Sequence, residues 1–296
     1  MDFLFAPLTV ACLLLFLWGA SVTPLSIILS NRYLIVDQPG ERKIHMSATP
    51  RGAGIVLWLG FLLWSLYAVE GAPLLRFLSI GGTFVFLSGY WDDMKTLNPA
   101  ARLLVHILSA GIFLLFLPVP LRHIPICLLW ITGMTNAFNL IDGANGLCLM
   151  MFITASVIVS LLGFPLLLPP SALAAGVLFW NFPRARTFLG DGGTTLLGYL
   201  FATLFLYSAA PFLDEIFVLQ LPFLLFFAGG VPVLDTLFAI IRRMARKKSP
   251  FVPDRGHIHH RMLDKGFGPV TTVILLSFAQ ICIVSGGTFF FGRILF

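Results

Sequence analysis

The chain has 296 residues, of which 58% are hydrophobic and only 11% charged, with a formal net charge of +6 at pH 7. A mean hydropathy of +0.95 excludes a water-soluble domain, so the chain must use lipid as its solvent. Its apolar runs are about twenty residues long without strict alternation, which excludes a β-barrel and predicts an all-α polytopic membrane protein, one transmembrane domain over residues 1–296.

In chain order the hydropathy predicts ten transmembrane helices, at roughly 3–29, 53–69, 74–91, 102–118, 124–141, 147–163, 171–182, 193–210, 217–241 and 270–292. The first begins almost at Met1 without a basic leader or an A-x-A-like cleavage site, so it is expected to be retained. Of the 19 Lys and Arg residues, 16 fall in alternate loops, leaving Arg76, Arg122 and Arg293 for the other side. The positive-inside rule makes the basic loops cytoplasmic, and an even number of spans puts both termini on the extracytoplasmic side. Cys12, Cys127, Cys148 and Cys282 are isolated and form no readable disulfide framework.

The polar clusters all fall on the cytoplasmic face. The first loop runs from Asp37 through Pro39, Gly40, Arg42, Lys43 and His45 to Thr49-Pro50-Arg51-Gly52-Ala53-Gly54. It reads either as a solvated basic loop that enforces topology or as part of a site. Span three ends in Gly89-Tyr90-Trp91-Asp92-Asp93, followed by Lys95 and Arg102. Adjacent carboxylates repel, so the pair calls for a divalent cation or a phosphate with its counter-ions between them. The alternative is a solvated helix end with Trp91 as its interfacial anchor.

Thr135–Leu147 reads TNAFNLIDGANGL. Asn136, Asn139, Asp142 and Asn145 recur at three-residue steps, so a continuing helix would carry all four on one flank, where a membrane segment normally holds nothing polar. After span seven, Phe188-Leu189-Gly190-Asp191-Gly192-Gly193-Thr194-Thr195 opens span eight. Glycines before a helix N-terminus suit a phosphate, and an aspartate there suits the phosphate's magnesium; the alternative is an N-cap aspartate.

Span nine carries Pro232 and Asp235 in an otherwise apolar run, which predicts a kink. The basic run Arg242 to Lys248 reads as facing lipid headgroups. Asp254-Arg255-Gly256-His257-Ile258-His259-His260-Arg261 follows. His-x-His-His could hold zinc, but the flanking arginines oppose a cation and favour a multiply charged anion such as a diphosphate.

GYWDD, TNAFNLIDGANGL, FLGDGGTT and RGHIHHRML, with the DxPxxRKxH and PRxGxG elements of the first loop, resemble in order and spacing the polyprenyl-phosphate N-acetylhexosamine-1-phosphate transferases, from about Asp37 to Leu263. The resemblance implies transfer of a sugar-1-phosphate from a UDP-N-acetylhexosamine to undecaprenyl phosphate, with release of UMP, in the bacterial cytoplasmic membrane. It implies Mg2+ as cofactor, with Mn2+ as a substitute. By similarity Asp191 is a magnesium ligand and Asn139 a second. Asp92, Asp93 and Asp142 are the acidic residues given the catalytic role, with Asp92 and Asp93 near the lipid phosphate. His257, His259, His260 and Arg261 contact the sugar-nucleotide diphosphate, and Lys43, Arg102, Asn136 and Asn145 complete the substrate-binding set. The ending HIHHRM resembles the branch serving O-antigen, teichoic acid and related polymers rather than the peptidoglycan branch. Asn145 departs from the family, many of whose bacterial members have a second aspartate there.

A phosphate monoester is mostly dianionic at neutral pH, so a general base adds little, and Asp92 or Asp93 is read as positioning or metal-linked. A transporter is the rival reading, but transport sites usually lie near the midplane between repeats, and no clear repeat is visible. Nucleic acid is not among the implied partners, and a homodimer is compatible with the sequence.

Overall fold

The computed structural model describes residues 2–37, 48–68, 74–249 and 256–295. Among the described residues the fold is all-α apart from one two-rung antiparallel ladder, β1 (Val36–Asp37) with β2 (Thr49–Pro50), in which Asp37 faces Thr49. The helices are α1 (Asp2–Arg32), α2 (Ala53–Ala68), α3 (Leu75–Met94), α4 (Pro99–Leu114), α5 (Ile124–Ile141), α6 (Leu147–Leu161), α7 (Leu168–Asn181), α8 (Gly190–Ala209), α9 (Gln220–Gly229), α10 (Val231–Ala245), α11 (Ile258–Asp264) and α12 (Pro269–Leu295). Among the described residues four of them are long and apolar enough to cross a membrane, at 8–32, 121–141, 190–212 and 269–287, and the bent pair α9 and α10 would make a fifth.

Helix α8 is the pillar of the fold. Every residue from Gly192 to Leu206 is buried, as expected of a helix that is apolar all round, and α2, α3 and α5 pack against it. Aromatic rings set the register of α5 on α8. Phe138 stacks on Phe201 of α8 at 6.4 Å and meets Phe152 of α6 edge-on at 6.3 Å, while the Trp130 indole donates to the Ala202 carbonyl of α8. Each such ring pair adds about 0.5–1.5 kcal/mol beyond its area burial. Because Asn139 follows Phe138, the same packing turns it toward the start of α8. The entry to α4 is equally specified: the Asn98 side chain accepts from the Ala100 amide at 2.9 Å and Pro99 takes the first helical position.

Two expectations need correction. The TNAFNLIDGANGL helix does not continue, because α5 stops at Ile141, Asp142 leaves helical geometry with ψ of 62°, and α6 begins only at Leu147. Two glycines and an asparagine within five residues favour a turn, and the Asn181 side chain closes it by accepting from the Gly146 amide at 2.7 Å. Asn136 and Asn139 therefore lie on α5, while Asp142 and Asn145 lie in the loop.

The kink in span nine sits at Gly230 rather than Pro232. There the chain turns by 107°, with Gly230 at φ 61° and ψ −135°, and Pro232 sits harmlessly near the start of α10. Buried Gln280 of α12 serves the break. Its Oε1 accepts from the Val231 amide at 2.6 Å, and its Nε2 donates toward the Gly229 carbonyl at 3.5 Å.

Candidate active site

Three of the polar clusters converge where α3 ends, α5 ends and α8 begins. Asp191 lies in the first turn of α8 and is not its cap, which leaves the carboxylate free to project. Its Oδ2 accepts from Arg102 Nη1 at 2.7 Å and from Asn139 Nδ2 at 3.2 Å. Thr194, one turn along α8, donates to Asn139 Oδ1 at 2.8 Å and so holds that amide. The same Arg102 nitrogen stands 2.6 Å from Asp92 Oδ2.

Asp92 and Asp93 do not share one cation. Neighbouring residues on a helix point about 100° apart, and here each carboxylate finds its own guanidinium. Asp92 takes Arg102 and the Leu97 amide. Asp93 takes Arg51 at 2.9 Å and the Gly192 amide at 3.4 Å. Arg51 also bonds Asp37, and the Arg51 amide extends the small ladder by donating to the Ile35 carbonyl at 3.0 Å.

These elements enclose a cavity of about 360 Å3, lined by Asp37, Arg51, Asp93, Asn139, Asp142, Gly143, Asn145, Asn181, Phe188, Asp191 and His260 among others. Asp142 is solvent-exposed yet recessed. The surrounding protein, and then the charges of Asp191 and Asp93, raise its carboxyl to about 7, although water reaching the side chain screens part of that repulsion. Asn145 donates to the Pro183 carbonyl at 3.3 Å at the cavity edge. Asn136 turns elsewhere, pairing with His106 Nδ1 at 3.2 Å and its own helix at Thr132, and does not line the cavity. Lys43 lies outside the described residues.

The histidine loop is anchored from α10. Asp235, 1% exposed, binds His257 Nδ1 with one oxygen at 2.7 Å and the Ile258 amide with the other at 2.8 Å. His259 is buried, and both its ring nitrogens are without a hydrogen-bond partner. Burial foremost, then the positive charge His260 can carry, lowers its imidazole to about 3, so it is neutral at physiological pH. Its ring packs on Gly143 so closely that a Cβ there would lie 1.8 Å from Nε2. Of the four loop residues proposed for diphosphate contact, His260 alone lines the cavity, and Arg261 is exposed outside it. Among the described residues no group of three or more His, Cys, Asp or Glu side chains is gathered closely enough to hold a metal ion by itself, so a cation here would need water or phosphate oxygens as well.

The cavity wall carries hard oxygen donors in the carboxylates of Asp93, Asp142 and Asp191, with Arg51 as partial counterweight, while Asn139 gives its Oδ1 to Thr194 and its Nδ2 to Asp191. That set fits Mg2+, which takes one or two protein carboxylates, keeps several waters and accepts phosphate oxygens. Of the two residues expected to hold it, Asp191 brings a carboxylate to the cavity, whereas Asn139 holds that carboxylate through its Nδ2.

Sequence reasoning missed Asp37, Arg51, Asn181 and Phe188 as cavity residues and Asp235 as the loop's anchor. Arg51 and Asp37 carried a signal in the first-loop motif, and Asp235 carried one as a lone carboxylate in an apolar run. Asn181, closing an apolar helix, had none.

The chain's residues 75–209 match the model of glycosyl transferase family 4. A Bacillus subtilis protein named "Probable undecaprenyl-phosphate N-acetylglucosaminyl 1-phosphate transferase" is 30% identical, covering 86% of this chain and 77% of the relative. A Mycobacterium leprae decaprenyl-phosphate N-acetylglucosaminephosphotransferase is 31% identical over 88% of this chain and 77% of its own length. A Thermotoga maritima undecaprenyl-phosphate alpha-N-acetylglucosaminyl 1-phosphate transferase is 31% identical over 82% and 78%. With relatives of 30% identity or more matched over most of both chains, the chain belongs to the polyprenyl-phosphate N-acetylhexosamine-1-phosphate transferases of glycosyl transferase family 4.

Proposed function

We propose that this protein transfers an N-acetylhexosamine-1-phosphate from a UDP-sugar to undecaprenyl phosphate, releasing UMP and starting a lipid-linked envelope glycan such as O-antigen. In this reading ten spans place both termini outside, and the cavity opens to the cytoplasm, where the nucleotide is. Mg2+ is the cofactor.

The observation that carries the reading is the convergence of Arg102, Asp92, Asp191 and Asn139, residues far apart in the chain, beside a cavity bordered by Asp93, Asp142 and His260. The acceptor phosphate oxygen attacks the sugar-bearing phosphorus, the bridging P–O bond breaks, and UMP leaves with the electron pair. Such a step needs orientation and charge neutralisation more than covalent help. A bound Mg2+ would neutralise diphosphate charge. Arg51, paired with Asp37 and Asp93, stands on the cavity wall as a fixed cation that a phosphate could share, and His260 as a hydrogen-bonding group. Asp92, held by Arg102 and the Leu97 amide outside the cavity, acts by fixing Arg102. An apolar groove of about 580 Å3 between α5, α9 and α10, lined by Trp130, Met134, Phe223, Phe226 and Leu237 among others, has the chemistry for an isoprenoid chain.

The test is UMP release by purified protein given undecaprenyl phosphate, Mg2+ and a panel of UDP-sugars. Release is expected with at least one UDP-N-acetylhexosamine, and its loss with EDTA and with Asp191→Asn. A wild-type protein inert across the panel overturns the reading.

A further inference from the structure

We infer that Asp235 is a positioning residue for the transfer, holding the histidine loop in register with the nucleotide cavity and fixing the tautomer of His257. The inference rests on the proposed activity only for its kinetic half.

Asp235 lies on a stretch of α10 that is apolar from Val231 to Ile241 apart from Asp235 itself and Thr236, a setting in which a carboxylate is costly unless both oxygens are satisfied. They are, and by a single segment 22 and 23 residues further on: Oδ2 meets His257 Nδ1 at 2.7 Å and Oδ1 meets the Ile258 amide at 2.8 Å. Both partners are well covered, with Asp235 1% and His257 5% exposed. The Ile258 amide is the first of α11, a free donor at a helix N-terminus, and His257, its cap residue, makes no side-chain cap hydrogen bond. Asp235 thus supplies from another helix the cap that α11 lacks.

The second bond has a chemical consequence. A carboxylate accepting from Nδ1–H makes Nε2 the unprotonated nitrogen of the neutral ring and fixes the ring plane. The His257 ring lies nearly parallel to His259 at 6.0 Å, and His259 in turn stands 4.2 Å from His260, which lines the cavity. Displacing His257 shifts the stack that ends at the cavity wall. Helix α11 is only seven residues long, too short to hold this arrangement unaided.

The test uses the full-length protein in detergent, comparing Asp235→Asn, Asp235→Ala and Asp235→Glu with His257→Ala and the double variant Asp235→Ala/His257→Ala. Hydrogen–deuterium exchange of residues 256–264 is read first, because it needs no activity. The variants Asp235→Asn and Asp235→Ala should exchange on the order of tenfold faster there, with the α8 core unchanged; unchanged exchange in the loop overturns the anchor. In steady-state UMP release Asp235→Asn should lose about 10–100-fold in kcat/KM for the UDP-sugar while KM for undecaprenyl phosphate stays within about twofold. Asp235→Glu should recover part of the loss, and the double variant should be no worse than the poorer single. Turnover per folded molecule equal to wild type, or both KM values rising together, would leave Asp235 a merely structural residue. A wild type without UMP release condemns the proposed function, while the exchange experiment still decides the anchor.

Discussion

Thr194 donates its hydroxyl hydrogen to Asn139 Oδ1 at 2.8 Å, from one helix to another across 55 residues of chain. The bond leaves Asn139 Nδ2 facing Asp191, so an unremarkable helix threonine decides how the amide meets the carboxylate. Thr194→Val keeps the shape and removes the donor. It should raise by about tenfold the Mg2+ concentration for half-maximal UMP release, with Thr194→Ser close to wild type.

Arg102 joins Asp92 to Asp191 through one nitrogen. Removing it leaves two carboxylates facing each other without a cation. Arg102→Ala should lower turnover by about 100-fold or more, and Arg102→Lys should rescue little because a flexible ammonium does not reproduce the guanidinium's fixed geometry. A lysine variant with near wild-type rate would show that charge alone suffices.

Gly143→Ala places a methyl group where His259 Nε2 now packs. The ring must retreat, and overpacking of this kind costs about 1–3 kcal/mol. The expected result is a lower melting temperature together with reduced turnover, checked by thermal unfolding in detergent and by UMP release.

His259 also gives a pH signature. Its folded value of about 3 lies below the ordinary 6.5, so the unfolded chain takes up the proton first. The stability that the neutral ring contributes is present above about pH 6.5 and is lost as pH falls from there toward 3, by at most about 1.4 kcal/mol per pH unit. Between pH 7.5 and 5 the wild type should lose more thermal stability than His259→Gln. Parallel curves would show that the ring does not stay neutral.

Gln280→Leu strips the Val231 amide and the Gly229 carbonyl of their partner in surroundings with little water. A destabilisation of about 1–3 kcal/mol follows for a buried donor left unsatisfied. Thermal unfolding of Gln280→Leu beside Gln280→Glu, which keeps an acceptor for Val231, separates this loss from a packing change.

The helical fold was legible because lipid leaves an apolar chain few other options, and the polar clusters were legible because a charge beside a span needs a reason. Which charges meet was not. The Arg102–Asp191 contact spans 89 residues and exists only because α3, α4 and α8 pack as they do. Three-residue spacing of Asn and Asp suggested a continuing helix, but Gly143 and Gly146 won locally. Proline drew the kink to position 232, whereas a proline near a helix start disturbs nothing and Gly230 took the turn. The second span, expected at 53–69, is helix α2 at Ala53–Ala68, and its 16 residues show that a helix's existence and its crossing of a membrane are separate questions.

The near right angle at Gly230 gives α10 two unlike sides. Asp235, Ala239 and Arg243, four residues apart, face inward, while Leu237, Phe238, Ile241 and Met244 are turned outward. The helix that holds the histidine loop therefore turns a greasy flank away from the protein. Whatever covers that flank, micelle, nanodisc or vesicle, bears on how firmly the loop is held, so these hosts are not interchangeable when the protein is assayed.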